Sequence, residues 1–220
     1  MDMLNQSVLE IATKISGASR VFYYFQVDLC AHRNTSLSDL RAATRVNAKE
    51  ILHELKALPK AKPKHFSQWQ TLSTPVLIDR LVTHYHQHHR KQLPEIIRLA
   101  SHLYQHCGYT PAHKLAHGLR NLQENLEQHM EAEEQELFPF LKSARAATSE
   151  SLFTAAQFKH HEHERDIQKL ESLREQLHPL QHRECAVAPV LYKELQRFFT
   201  ELRAHIYMED EVLMKRFITR

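Results

Sequence analysis

Glycine is almost missing from this chain of 220 residues: there are 3, with 8 prolines. Turn-forming residues that sparse exclude a many-stranded fold, which needs frequent tight turns. Cysteine is also scarce, and Cys30, Cys107 and Cys185 stand far apart with no Cys-x-x-Cys. That spacing argues against a zinc ribbon and against a disulfide framework, and it fits a reducing, cytoplasmic compartment. No apolar run is long enough to span a bilayer. The start, Met1-Asp2-Met3-Leu4-Asn5-Gln6, lacks the basic-then-apolar pattern of a signal peptide. Neither sign of charge dominates: 29 Lys and Arg face 26 Asp and Glu, for a net charge of +3. The two signs interleave, which leaves no stripe for nucleic acid and no polybasic arm for a membrane. Histidine, by contrast, is abundant, with 18 residues.

The chain divides into three expected parts. Residues 1–58 form a small helical N-terminal domain, with apolar groups at Val8, Leu9, Ile11, Ala12 and Ile15, then at Val21–Phe25, then at Leu37, Leu40 and Ala43. Asn47 with Glu50 three residues on resembles a capping box and predicts a helix through Leu58. Residues 59–73 read as a linker, stiff and basic over Pro59–Lys64. Residues 74–220 carry helical periodicity throughout and predict four long helices. The first opens at Thr74-Pro75, bends at Pro94 and ends before Gly108. The second runs from Thr110-Pro111 to about Lys142. The third starts near Ser149 and stops before Pro179, and the fourth runs from near Pro189 onward. Short connections make consecutive helices antiparallel, so the expected fold is all-α, an up-down-up-down four-helix bundle behind a small helical domain.

Chemistry enters with two spacings. His129–Glu133 and His205–Glu209 each set an imidazole and a carboxylate one helical turn apart, on one face. That face is apolar in both cases. Leu119, Leu122, Leu126, Leu137 and Phe140 share the first; Leu195, Phe198, Leu202, Val212 and Leu213 share the second. His86 lies on the stripe of Ile78, Val82, Leu93 and Ile97, and His160 on that of Phe153, Ala156 and Ile167. Each long helix therefore offers one core-facing histidine, and two add a glutamate. A carboxylate aimed at a core is costly unless a cation compensates it. Four imidazoles and two carboxylates, with no thiolate, suit a pair of metal ions with bridging carboxylates. The donor set does not by itself separate iron from manganese or zinc. His84, His89, His161 and His163 read as groups that orient the ligands or as alternates to them. Glu134, Glu136, Asp210 and Glu211 read as a solvated face. A structural bundle with internal His–Glu pairs is the rival interpretation.

Three segments carry a resemblance. Tyr85-His86-Gln87-His88-His89-Arg90-Lys91-Gln92-Leu93-Pro94-Glu95, His129-Met130-Glu131-Ala132-Glu133-Glu134-Gln135-Glu136-Leu137-Phe138-Pro139 and His205-Ile206-Tyr207-Met208-Glu209 resemble the bacterial repair-of-iron-centres proteins, hemerythrin-like bundles behind a small N-terminal domain. The resemblance implies two iron ions with an oxo or hydroxo bridge, held by His86, His129, His160 and His205 and bridged by Glu133 and Glu209. It implies iron–sulfur client proteins, NO or O2 as small ligands, repair of clusters damaged by nitrosative or oxidative stress in the cytoplasm, and a homodimer. A hemerythrin-like carrier or sensor of O2 or NO and an NO-reducing enzyme are the alternatives. The family's adjacent cysteines reduce here to Cys30 followed by Ala31, which speaks against a thiol–disulfide role for the N-terminal domain.

Overall fold

The computed structural model describes residues 3–40, 47–58, 67–143, 161, 163–165, 167–168, 170–172, 175 and 185–218. His160, the linker core Pro59–Lys64 and the expected start of the third long helix near Ser149 lie outside the described residues. Among the described residues every regular element is helical; the single β contact is an isolated antiparallel bridge between Ser7 and Ser36. The chain groups into two compact units, one of residues 1–62, 95–116 and 173–197, the other of residues 63–94, 117–172 and 198–220.

In the first unit, α1 (Val8–Lys14), α2 (Ala18–Tyr24) and α3 (Ala48–Ala57) are short, and side chains cap the first and third. Ser7 and Glu10 form a full capping box: the Glu10 amide donates to Ser7 Oγ at 3.2 Å and the Ser7 amide to Glu10 Oε2 at 2.9 Å. Gly17 enters α2 with φ of 79°, a left-handed conformation that suits a residue without Cβ. Asn47 caps α3 by accepting from the Lys49 amide at 3.0 Å, and its own amide group donates to Glu50 at 2.9 Å. A buried acid ties α1 and α2 to the fourth long helix. Glu194, 2% exposed, accepts from Ser16 Oγ, the Gly17 amide and Arg197, while Arg197 also donates to the Thr13 and Lys14 carbonyls. Burial raises the Glu194 carboxyl even though Arg197 and these donors pull it down.

The expectation against disulfides is corrected in this unit. Cys107 and Cys185, 78 residues apart in sequence, are disulfide-bonded with Cα atoms 6.3 Å apart. Cys107 ends one long helix and Cys185 stands two residues before the start of another, so the chain's return brings together residues that spacing alone keeps apart.

The stretches of the long helices that belong to the second unit assemble as the periodicity predicts. A single turn, α4 (Ser67–Gln70), lies inside the stretch expected as linker; the first long helix is α5 (Thr74–Leu81), a π-helical turn (Val82–His86) and the start of α6 (Gln87–Cys107). The second is α7 (Pro111–Ala132), a π-helical turn (Glu133–Leu137) and α8 (Phe138–Lys142). The fourth is α9 (Val187–Tyr207), a π-helical turn (Met208–Met214) and α10 (Lys215–Ile218). The third is represented by helical residues between 161 and 175.

Side-chain pairs fix the directions. Arg90 meets Glu127 at 2.8 Å and Asp79 meets Lys142 at 2.6 Å, so the first and second helices run antiparallel. His129 faces His163, and Gly118 faces Leu170, so the second and third do as well. His88 pairs with Glu201, and Arg216 reaches the Leu72 carbonyl, so the fourth opposes the first. The order is up-down-up-down. Gly118 is the close approach: a Cβ there would stand 2.8 Å from Leu170 Cδ2. Leu77, Ile78, Leu81, Leu137, Phe138, Leu141, Met208, Val212, Leu213 and Met214 form one buried apolar cluster. Each such side chain contributes about 1.5–3 kcal/mol by leaving water.

Candidate metal centre

Beside that cluster four polar side chains are closed off from solvent. One donor atom each from His86, Glu133, His205 and Glu209 lies within 4.8 Å of the others, and all four residues are buried. Both carboxylates reach the same imidazole. His86 Nε2 is 3.4 Å from Glu209 Oε1 and 3.5 Å from Glu133 Oε2. Glu209 Oε1 also lies 2.8 Å from His205 Nε2, and Glu133 Oε1 is 3.2 Å from His129 Nε2. The result is a chain of contacts, His205–Glu209–His86–Glu133–His129. The central carboxylates each touch two imidazoles, the disposition a bridging carboxylate requires.

The backbone widens where these residues sit. His86 closes one π-helical turn, Glu133 opens the second, and Glu209 lies inside the third. A π turn inserts a residue into the α ladder and is frequent at functional sites. Here it turns neighbouring residues inward together. Tyr85 and His86 are both buried, as are Met208 and Glu209, and Val212 through Met214. No hydrophobic pattern in the sequence announces these turns.

A second layer orients the ring of His86. Its Nδ1 is 2.7 Å from Glu134 Oε1, and Arg90 donates to the same oxygen at 2.8 Å. Glu134 therefore belongs to the site rather than to a solvated face. A proton on Nδ1 satisfies this bond and directs Nε2, which faces Glu133 and Glu209, as the nitrogen that would ligate a cation. Burial pushes the Glu134 carboxyl up, but its bonds to His86 and Arg90 outweigh that and lower it. His205 is held by stacking: the Tyr85 ring lies 4.9 Å away at 16°. Burial lowers the His205 imidazole, which keeps it neutral and so able to ligate. Burial also pushes His86 down, but the Glu209 bond and the charges of Glu209 and Glu133 overcome this and raise it. His89 is fully buried against Phe198 and His205, and burial drives it well below the usual imidazole range. Neither of its ring nitrogens has a hydrogen-bond partner among the described residues.

The third long helix contributes His163. It is 1% exposed, and its ring packs edge-on against His129 with centroids 5.1 Å apart. His161 is exposed. Glu164 turns the other way, 3.2 Å from Arg203, which also holds Glu171 at 2.7 Å.

These residues fit a metal. Two buried carboxylates this close to one another are disfavoured without a cation between them. The set is nitrogen and oxygen only, suited to iron, manganese or zinc, and Nε2 of His86, His129 and His205 each faces a carboxylate of the cluster.

Comparison with known proteins gives the same reading. Residues 77–217 match the hemerythrin HHE cation binding domain. Over 98% of both chains the protein is 29% identical to a probable iron–sulfur cluster repair protein of Haemophilus influenzae. It is 30% identical, again over 98% of both chains, to the iron–sulfur cluster repair protein YtfE of Yersinia pseudotuberculosis. The corresponding protein of Pectobacterium carotovorum is 28% identical over 96% of both.

Proposed function

Because the chain belongs to the hemerythrin HHE cation-binding family and, over nearly its whole length, to the iron–sulfur cluster repair proteins, we propose that it holds a pair of iron ions and helps to rebuild iron–sulfur clusters damaged by nitrosative or oxidative stress. The observation that carries this is the closed cluster of His86, Glu133, His205 and Glu209, with each glutamate touching two imidazoles. We assign the ligands to His86, His129, Glu133, His163, His205 and Glu209. His163 takes the place of His160, because it is buried and lies against His129.

Iron bound there supplies redox chemistry and an exchangeable store of the metal that a damaged cluster has lost. The protein's own residues do the rest. Glu133 and Glu209 provide the negative charge that draws two cations together. His205 and His163 are sheltered from water, which strengthens every electrostatic interaction around them. Glu134 and Arg90 hold His86 in the ligating tautomer.

The repair reading is favoured over an oxygen carrier by the third helix. A carrier's extra imidazole one turn on would fall at position 167 after His163, where a buried Ile167 stands, or at Glu164 after His160, which is engaged with Arg203. NO binding, client iron–sulfur proteins, a cytoplasmic site of action and a homodimer belong to the same proposal. No described helix is long and apolar enough to cross a membrane.

The test has two stages. Elemental analysis after anaerobic Fe(II) loading is expected to give two irons per chain. The loaded protein, and not the metal-free form, is then expected to restore activity to a cluster enzyme inactivated by nitric oxide. Iron well below stoichiometric would overturn the site; two irons without restoration would overturn the repair role.

A further inference from the structure

The three cysteines offer a different chemistry, in the first unit, from residues the iron site does not use. The sulfurs of Cys30, Cys107 and Cys185 all lie within 4.8 Å of one another. Cys107 and Cys185 are bonded, and Cys30 is a free, half-buried thiol beside them. We propose that reduction of the Cys107–Cys185 disulfide opens a three-thiolate site that takes one thiophilic divalent cation.

Each sulfur is delivered by a defined piece of backbone. Asp28 Oδ1 accepts from the Cys30 amide at 2.7 Å and from the Ala31 amide at 3.0 Å, so the Cys30 loop is held as a side-chain-closed turn. Burial pushes against the Asp28 charge, yet the Ala31 amide, the largest influence, holds its carboxyl below the usual range, so this acceptor stays charged. Cys107 closes a long helix, and Gly108 with φ of 65° turns the chain immediately after it. Cys185 stands two residues before Val187, where another long helix begins.

The spacing suits a metal. Metal–sulfur bonds of about 2.3 Å in a tetrahedral site put thiolates about 3.8 Å apart. Cys30 already stands within 4.8 Å of both partners, so closing the site takes about an ångström of adjustment there and the separation of the bonded pair. Three protein ligands leave a fourth position open, the arrangement of an exchangeable site and not of a closed structural one. Thiolates also select differently from the imidazoles and carboxylates of the iron site.

The steps balance with a protein dithiol as reductant. Its two thiols become a disulfide and give up two electrons and two protons; the Sγ–Sγ bond breaks, and Cys107 and Cys185 each take one proton. The cation then displaces the protons of the three thiols. In a compartment where glutathione and thioredoxin keep thiols reduced, the open form is the one maintained.

Cobalt(II) tests this on the full chain, because sulfur-to-cobalt charge transfer in the near ultraviolet arises only from thiolate ligands and is silent for the His/Glu site. After anaerobic treatment with a dithiol and desalting, three free thiols are expected by thiol titration. Cobalt added to three equivalents, enough to occupy the two-cation His/Glu site as well, is then expected to raise the charge-transfer band. The oxidised protein should show none. Cys107→Ser should lose most of the band, with circular dichroism confirming an unchanged helix content. Cys30→Ser, which keeps the disulfide pair, should bind cobalt at least tenfold more weakly after reduction, the least that disturbing a metal site costs. A disulfide that resists reduction in the folded protein, cobalt uptake without a sulfur band, or an undiminished band in Cys30→Ser would each overturn the proposal. None of these results depends on whether the iron site or the repair role is correct.

Discussion

Glu209→Gln separates a metal site from a structural ion cluster, because the two predict opposite changes. Carboxylate oxygens of Glu133 and Glu209 lie within 4.8 Å, and both residues are buried. At an effective dielectric of 20, unit charges at that distance repel by about 3.5 kcal/mol. A protonated His86 between them recovers part of this, so neutralising Glu209 relieves at most about 3 kcal/mol in the metal-free protein. The amide keeps the shape and can still accept from His205. In a chain of this size 1 kcal/mol moves the melting temperature by about 2–4 °C. The metal-free variant should therefore melt at the wild-type temperature or up to about 10 °C above it. Iron acts the other way. At a hundredfold excess over its dissociation constant it adds about 2.7 kcal/mol to the wild type, a rise of about 5–10 °C. The variant, lacking a bridging charge, should lose that rise. Thermal melts by circular dichroism under anaerobic conditions, with chelator and then with Fe(II), measure both quantities. Suppose instead that the metal-free variant melts far below wild type, as breaking a needed buried pair at about 3–5 kcal/mol would require, and wild type gains nothing from iron. The metal reading would then be refuted.

Three further outcomes follow from the same geometry. His163→Ala should lower bound iron well below two per chain while His160→Ala leaves it unchanged, by elemental analysis; the reverse pattern would return the third-helix ligand to His160. Glu134→Gln should weaken metal binding about 10–100-fold with no loss of helix content, as removal of a ligand-orienting partner does, and competition with a chelator reads the change. Glu194→Ala strips the acceptor from Ser16, Gly17 and Arg197 and should cost about 3 kcal/mol, seen as a lower urea midpoint; an unchanged midpoint would mean this buried acid contributes nothing to the first unit.

Much of the site was legible because helical spacing is rigid. Residues four apart share a face in any α-helix, so His129 with Glu133 and His205 with Glu209 could be paired without coordinates, and the apolar neighbours said which face was inward. The antiparallel order followed from short connections and was then visible in Arg90–Glu127, Asp79–Lys142 and Gly118–Leu170. The third helix was harder to phase. Ile167 is buried as expected, and His163 lies one turn before it; His160 lies two turns before it, so both satisfy the same period. Glu134 was unreadable for another reason. Its role depends on Arg90 and His86 coming from a different helix, and sequence spacing carries no information across helices. The cysteines fail in the same way: separations of 77 and 78 residues say nothing about which helix ends meet.

The π-helical turns deserve a separate cause. An unbroken α-helix already presents a His and a Glu one turn apart, so the ligand pairs alone do not need a wider turn. Yet a π turn occurs at His86, at Glu133 and at Glu209, on each of the three helices that supply the closed cluster. Adjacent residues in an α-helix point about 100° apart, so burying both, as at Leu77 and Ile78, needs a broad inward face. The site buries such neighbours too: Tyr85 stacks on His205 while its neighbour His86 meets both carboxylates, and Met208 fills the apolar cluster while its neighbour Glu209 meets His86. Inserting one residue rotates the following side chains and lets ligand and packing residue point inward together. The internal repeat visible in the sequence as two His-x-x-x-Glu pairs thus extends to the backbone. In both the second and fourth helices the π turn coincides with the glutamate, and in both that glutamate reaches across to His86. The widened turn is the local means by which a carboxylate on one helix comes within reach of imidazoles on two.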